Sequence, residues 1–464
     1  MARKYLIETF GCQMNFHDSE RMAGLLEQAG FEPTDDPGDA DVIVLNTCSV
    51  REHAAGKLFS RLGELRTVTG ADGTRPLIAV AGCVAQQDGT SILKRAPYVD
   101  ILVGTQAARQ LPLLVDRAAT TGLPQIDINP YEDVSFPLGI AKRSDPVKAY
   151  VTILEGCNDF CAFCVVPYTR GRERMRSRTE ILADILDAVG TGRREVHLLG
   201  QIVNHYEAPD APGCDFPALL AAVNDIPGVE RIRFASPHPR HASERLVEAI
   251  RDLPRVCKHM HLPVQSGSTR ILQSMHRRHT REEFLGLVDR LRRAVPDVSL
   301  STDMIVGFPG ESDADFQETL SLTRAVGFSS MFSFKYSERP NTLASKRLKD
   351  DVPEEEKGRR LTELQQVQRA IQWDLNRAAV GREFDVLVDS RSRRRAHELA
   401  GRTTGNVVVN MPGPPAWLGR TIRVTILRAG PNSLWGEAAG AWPVDMAAPG
   451  PYVIRTGDSD TGNA

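Results

Sequence analysis

Six of the eight cysteines in this 464-residue chain fall into two sets of three. The compact set lies in Glu155-Gly156-Cys157-Asn158-Asp159-Phe160-Cys161-Ala162-Phe163-Cys164, a C-x3-C-x2-C spacing. A four-iron, four-sulfide cube takes one cysteine per iron, so three thiolates leave one iron without a protein ligand. An open iron can bind a substrate, as the open position of a catalytic zinc does. A zinc knuckle is the rival reading. It wants a fourth cysteine or histidine close by, and the nearest downstream candidates are His197 and Cys214. The spacing therefore favours a cluster.

The other three cysteines are far apart in sequence, and their positions define the first part of the fold. Lys4–Phe10 reads as a strand followed by Gly11-Cys12 and a helix from about Ser19 to Gly30. Val42–Leu45 reads as a buried strand leading to Asn46-Thr47-Cys48 and a helix around Glu52–Arg66. Leu77–Ala81 is a third strand, followed by Gly82-Cys83 and another helix. Strands alternating with helices imply a parallel sheet. In such a sheet the carboxyl ends of the strands share one edge, where ligands bind. Cys12, Cys48 and Cys83 each follow a strand end, so they are expected to converge as a second set of three cluster ligands. Three unrelated buried thiols is the alternative, since cysteine is often buried.

Composition narrows the setting. A net charge of −2 gives the whole molecule no field that attracts nucleic acid, so any RNA contact must come from local basic patches. No run of about 18 apolar residues exists to span a membrane. The N-terminus enters a strand pattern at once, and Glu8 breaks any signal-peptide core. A cytoplasmic location follows, where disulfides are disfavoured and cysteines point to metal or catalysis. Cys214 and Cys257 lack partner spacing and read as structural.

The chain divides into an N-terminal domain over 1–125, a central domain over 144–379, a third over 380–443 and a tail over 444–464. A linker rich in Asp, Asn and Pro runs from Ile126 to Pro146. Six strands with intervening helices follow: Val147–Leu154, Glu195–Leu199, Val229–Ala235, His259–Leu262, Ser299–Val306 and Ser329–Tyr336. This pattern predicts a partial TIM-like (β/α)6 barrel, with its site at the carboxyl ends of the strands. A helix over Pro353–Ala379 closes it. Glu383–Asp389, His397–Ala400, Val407–Asn410, Thr421–Arg428 and Ser433–Ala438 then read as a small β-barrel.

Two basic segments stand out. Arg170, Arg172, Arg174, Arg176 and Arg178 occupy every second position. In an extended segment this period places them on one face, and phosphate is the natural counterpart of aligned guanidinium groups. A solvated loop with internal salt bridges is the alternative. Arg391, Arg393, Arg394 and Arg395 fall in a hairpin turn of the third domain and carry the same two readings. Gly307-Phe308-Pro309-Gly310-Glu311 follows the strand bearing Asp303, and its glycines suit close backbone approach by a ligand or an ordinary turn. His238, His259 and His261 lie near strand ends, where histidines more often make structural hydrogen bonds.

Taken in order, these parts resemble the methylthiotransferases of the radical S-adenosylmethionine (SAM) superfamily along nearly the whole chain. The compact set with Phe163 before its last cysteine is similar to the radical SAM loop. The distant set matches the N-terminal methylthiotransferase domain, and Gly401-Arg402-Thr403 fits an RNA-binding TRAM barrel, an OB-like fold. Phe10-Gly11-Cys12-Gln13-Met14-Asn15 and Cys164-Val165-Val166-Pro167-Tyr168-Thr169-Arg170-Gly171-Arg172-Glu173 are most similar to the branch acting on dimethylallylated adenosine in tRNA. One departure is Ile202 in Gln201-Ile202-Val203-Asn204, where that branch usually carries asparagine.

The resemblance implies two [4Fe–4S] clusters and SAM. Cys157, Cys161 and Cys164 would hold the catalytic cluster, and Cys12, Cys48 and Cys83 the auxiliary one. Gln201, Asn204, Ser236, Gln265, Asp303, Gly307 and Gly310 become the expected SAM contacts. The implied reaction inserts sulfur and methyl at C2 of N6-dimethylallyladenosine beside the anticodon. That C–H bond is unactivated, which is why radical chemistry is needed, and the base lies in an already unpaired loop. The implied partners are the tRNA anticodon stem-loop and an electron donor such as flavodoxin or ferredoxin, with the protein acting as a monomer away from membranes. Threonylcarbamoyladenosine in tRNA and an aspartate of a ribosomal protein are the alternative substrates within the family. A non-catalytic iron–sulfur RNA-binding protein or electron carrier is the alternative of another class, and three rather than four cysteines per set argue against it.

Overall fold

The computed structural model describes residues 3–49, 52–70, 73–129, 139–392, 395 and 397–440. Its first unit is a six-stranded, all-parallel sheet. The strands in chain order are Arg3–Phe10 (β1), Phe31–Pro33 (β2), Val42–Thr47 (β3), Leu77–Ala81 (β4), Ile101–Val103 (β5) and Gln125–Asp127 (β6). Their order across the sheet is β2-β1-β3-β4-β5-β6. Both faces are covered, which explains the continuous apolar runs in the central strands. Val42, Val44, Ala79 and Ala81 pack on one face. Ile43, Leu45, Ile78 and Val80 pack on the other. Three of the six strands escaped the sequence reading. Each is only three residues long, too short to show a period, and β6 crosses the expected boundary at 125 into what read as linker.

The second unit is the expected open barrel. Lys148–Thr152, Glu195–Leu199 and Arg231–Phe234 form one parallel arc, and His259–His261, Ser299–Val306 and Ser330–Lys335 a second. A parallel bridge between Ile232 and Val256 joins the arcs. Several outer helices begin with side-chain caps that satisfy orphan N–H groups, including capping boxes at Thr280 and Ser312. One hydrophobic core, with Val151, Leu198, Ile232, Met260, Leu300 and Phe316 among its members, runs behind both arcs. Helix Glu354–Ala378 packs behind the last strand and leads into the third unit.

That unit is a closed five-stranded barrel of Glu383–Arg391, Glu398–Arg402, Val408–Pro412, Thr421–Ala429 and Leu434–Ala438. It seals the bottom of the larger barrel. Arg231 donates to the carbonyls of Arg402 and Asp385, and Arg233 to those of Thr403 and Thr404. Lys148 pairs with Asp389 at 2.7 Å. Among the described residues, no helix is long and apolar enough to cross a membrane. The expected tail over 444–464 lies outside the described residues.

Candidate active site

Cys12, Cys48 and Cys83 lie along one edge of the sheet. They follow β1, β3 and β4, so Cys12 and Cys48 straddle the point where strand order reverses, the usual ligand position of an open α/β sheet. Close backbone approach makes this possible. A Cβ on Gly11 would stand 2.7 Å from the Cys48 Cβ, and one on Gly82 would stand 2.2 Å from Asn46 Oδ1. Asn46 in turn donates to the Asn15 carbonyl at 2.8 Å and to Ser19 Oγ at 2.9 Å, fixing the strand end to the following helix. The Cys12 thiol is lowered to about 6, first by a hydrogen bond from Cys48 and then by the nearby Arg170 charge. Thiolate is the form that binds iron.

The compact set sits at the mouth of the larger barrel. Gly156 takes φ +84°, and a Cβ there would strike the Arg172 carbonyl at 2.1 Å, so only glycine admits this crossing of the loop over itself. The Asp159 and Val166 amides approach the sulfurs of Cys157 and Cys164 at 3.5 Å, and Arg277 Nη1 lies 3.4 Å from Cys161 Sγ. Burial pushes the thiols of Cys157 and Cys164 up to about 12. Removing thiolates from water in this way costs free energy unless a positive centre receives them.

Both sets fit iron–sulfur clusters. Buried polar atoms stand without partners beside each: Thr47 Oγ1, Ser49 Oγ and Gln87 Oε1 near the first, Gln201 Oε1 and Arg277 Nε near the second. Buried polar groups are normally satisfied, so unpartnered atoms at these positions fit sites that take up a further group. Among the described residues, no group of three or more His, Cys, Asp or Glu converges as a single-ion site would. A cube spreads its thiolates over separate irons.

The two sites are joined by a buried polar seam. Helix Gln13–Gln28 lies between the sheet and the barrel, and Asp18, Glu20 and Arg21 on it are all buried. Arg21 meets Glu155 at 3.2 Å, and Glu20 accepts from the Ser144 amide at 3.0 Å. Asp18 meets Arg170 at 2.6 Å. This corrects the expectation of a single five-arginine face. Residues 170–178 do not form one strand, Arg170 is 4% exposed, and Arg176 is 5% exposed with an ion pair to Asp184 at 3.1 Å. Arg172 is exposed, and Arg174 and Arg178 are half-buried.

The expected SAM contacts separate into two groups. Gln201, Asn204, Ser236 and Gln265 stand just beyond strand ends around the mouth, and Asp303 lies within the strand Ser299–Val306. Asn204 is committed to the His238 backbone, donating at 2.9 Å and accepting at 2.8 Å. Ser236 and Gln265 both hold positive φ, at 57° and 77°, a strained backbone that clusters at functional sites. Gly307 and Gly310 instead answer to the closing helix and its approach. A Cβ on Gly307 would strike Lys357 at 2.3 Å, and the Gly310 amide donates to Asp351 at 2.7 Å. Ile202 is buried and makes an apolar contribution to the core. His259 and His261 both meet Ser301 Oγ at 2.9 Å, as structural histidines do, although His261 also lies 3.4 Å from Asp303 in the lumen. Arg391 and Arg395 are exposed at the expected hairpin, whereas Arg393 and Arg394 lie outside the described residues.

Sequence reasoning passed over Asp18 and Arg277. The available signal for Arg277 was the run His276-Arg277-Arg278-His279 just after a short helix. Asp18 gave none, because its partner is 152 residues away.

A three-cysteine loop at the mouth of an open six-stranded β/α barrel defines a radical SAM enzyme, and the radical SAM superfamily model matches residues 151–323. The N-terminal sheet matches Uncharacterized protein family UPF0004 over residues 4–104, and the small barrel matches the TRAM domain over residues 377–439. The chain belongs to the radical SAM tRNA methylthiotransferase family. It is 45% identical to the tRNA-2-methylthio-N(6)-dimethylallyladenosine synthase of Alkalilimnicola ehrlichii, over 97% of this chain and 100% of that protein. It is 47% identical to the enzyme of the same name from Thiobacillus denitrificans, over 94% of this chain and 98% of that one. In fold it is similar to the radical S-adenosylmethionine methyltransferase TsrM from Kitasatospora setae, solved with cobalamin and a [4Fe–4S] cluster, at TM-score 0.52 and 13% identity over 74% of each chain. The family uses SAM and two [4Fe–4S] clusters.

Proposed function

We propose that this chain methylthiolates C2 of N6-dimethylallyladenosine next to the anticodon of tRNA. Cys157, Cys161 and Cys164 hold the radical cluster in this reading, and Cys12, Cys48 and Cys83 the auxiliary one. When bound, these groups and SAM supply a 5′-deoxyadenosyl radical to remove the C2 hydrogen, and the sulfur and methyl that replace it. The protein's own part is to bind the base, exclude water and hold the two sites in fixed relation. An electron donor of the flavodoxin or ferredoxin class feeds the radical site of a monomer working in the cytoplasm.

The observation that carries the choice of base is the lining of the barrel lumen. Met331, Ser333 and Lys335 of the last strand alternate toward helix Glu354–Ala378, where Gln365 reaches Ser333 and Lys335 pairs with Glu354. Phe332 and Phe334 therefore point the other way, into the lumen, where they remain 50% and 36% exposed. Phe332 stands beside Asp303 in register and edge-on to His261, at 6.2 Å between rings. Exposed aromatic faces take unstacked bases, and apolar rings suit a dimethylallyl substituent. A threonylcarbamoyl group, with its carboxylate, would be desolvated against them at a cost.

Anticodon stem-loops carrying dimethylallyladenosine, threonylcarbamoyladenosine or plain adenosine test this with the reconstituted enzyme and SAM. The dimethylallyl substrate alone should gain a methylthio group. Turnover only of the threonylcarbamoyl substrate would overturn the assignment.

A further inference from the structure

We propose that the buried Asp18–Arg170 pair sets the reduction potential of the cluster held by Cys12, Cys48 and Cys83. The pair lies at the junction of the two cysteine sites. Arg170 closes the short helix Val166–Thr169, which begins two residues after Cys164. Thr105 Oγ1 donates to the Thr169 carbonyl at 2.5 Å, and Gln106 Nε2 donates to the Arg170 carbonyl at 2.9 Å. These bonds clamp the segment onto the N-terminal sheet. From there the guanidinium turns inward to Asp18, 2.6 Å away on the helix that starts directly after Cys12, and the short helix Val166–Thr169 packs against helix Cys83–Asp88, which begins at the third cysteine. The next residue, Gly171, accepts from the Cys157 amide at 3.2 Å. A single stretch of backbone thus touches both sites.

The electrostatic consequence follows from burial. A four-iron cube with three thiolates is anionic, and one-electron reduction adds a further negative charge. Arg170 is 4% exposed and Asp18 8%, so solvent screens neither charge well. The potential of such a cluster responds to nearby charge and hydrogen bonds. The guanidinium favours the reduced state and the carboxylate opposes it. Of the other charged groups along the seam, Arg21 pairs with Glu155 at 3.2 Å, Arg176 pairs with Asp184 at 3.1 Å, and Glu20 accepts from the Ser144 amide at 3.0 Å. The balance between Asp18 and Arg170 is then the adjustable element, and it is independent of any role in binding tRNA.

This inference rests on Cys12, Cys48 and Cys83 being cluster ligands. Its test uses the full chain with Cys157, Cys161 and Cys164 replaced by Ala, so that only the N-terminal cluster remains after anaerobic reconstitution. Dithionite supplies the electron, and the midpoint is read by electron paramagnetic resonance at fixed pH. Arg170→Gln should lower the midpoint and Asp18→Asn should raise it. Arg170→Lys should stay near the background, and the Arg170→Gln/Asp18→Asn pair should return toward it. A purely structural role would not give shifts of opposite sign. Two single variants shifting the same way, or neither shifting, overturns the proposal. If Arg170→Gln binds no iron, Asp18→Asn decides alone, and absence of a rise overturns it. A background variant that binds no iron refutes the ligand reading, and the inference with it.

Discussion

Arg277 Nη1 approaches Cys161 Sγ at 3.4 Å while its Nη2 donates to the Pro263 carbonyl at 2.6 Å. One guanidinium thus ties the three-cysteine loop to the end of the fourth barrel strand, and it brings a positive charge to the Cys161 sulfur in a water-poor site. A charge-assisted hydrogen bond of this kind contributes roughly 1.5–3 kcal/mol. Arg277→Gln should lower the rate of 5′-deoxyadenosine formation by about tenfold or more at that magnitude, with iron content retained. Arg277→Lys should recover part of the loss. Both are read by chromatographic assay of 5′-deoxyadenosine beside iron analysis, and an unchanged rate in Arg277→Gln would show that this charge does not assist SAM cleavage.

Phe332 and Phe334 lead to a prediction about substrate choice. Phe332→Ala should raise KM for dimethylallyl stem-loops, with a fall in kcat/KM of about tenfold, since a ring stacked on a base is worth roughly 1–3 kcal/mol. Uncoupled SAM cleavage without RNA should persist. Equal kinetics of wild type and Phe332→Ala on the RNA substrate would contradict the placement of the base.

How far the sequence revealed this arrangement depends on the range of the interaction. The strands Glu195–Leu199 and Ser299–Val306 occur with the ends read from apolar runs and turn residues, because strand periodicity is local. The two cysteine sets were legible for the same reason: one is a short spacing, and the other is a repeated position after strands. The arginines from 170 to 178 mark the limit. Alternation implied one face only if the segment were extended, but Gly171 turns the chain at φ +75°, and Arg170 and Arg176 go to separate buried carboxylates. Those partners, Asp18 and Asp184, leave no mark near the arginines in sequence that distinguishes a buried pair from a phosphate site.

Glu20 gives a pH signature. Burial pushes its carboxyl up to about 7 from an ordinary 4.5, against the Ser144 amide that favours the charged form. The folded chain therefore binds this proton more tightly than the unfolded chain. The resulting loss of stability is absent below about pH 4.5, grows as pH rises toward 7, and is then constant. Glu20→Gln removes it. The variant should match wild type near pH 4.5 and exceed it at pH 8 by up to about 3 kcal/mol. Thermal unfolding at the two pH values measures this, and a difference independent of pH would show that Glu20 does not titrate as argued.

The small barrel should bind tRNA largely through charge. Arg391 and Arg395 are exposed at its basic hairpin, and the partner of Arg395, Glu398, keeps a second hydrogen bond from Trp435 Nε1 at 3.0 Å. Replacing both arginines by Gln should weaken tRNA binding and reduce the slope of log affinity against log salt by close to one for each phosphate that is no longer neutralised. An unchanged slope would make them ordinary solvated surface. Deleting the whole barrel is a poorer test, since it strips Arg231 and Arg233 of their carbonyl partners.

Division of labour between the two cysteine sets is the central claim, and tRNA nucleosides report on it directly. Cells lacking this protein are supplied with wild type, Cys48→Ala or Cys161→Ala, and their digested tRNA is analysed by mass spectrometry. Wild type should restore 2-methylthio-N6-dimethylallyladenosine, and both variants should leave N6-dimethylallyladenosine in its place. The purified Cys48→Ala protein should still convert SAM to 5′-deoxyadenosine, and Cys161→Ala should not. Normal methylthiolated nucleoside from the Cys48→Ala cells, or from cells lacking the protein altogether, would contradict the account.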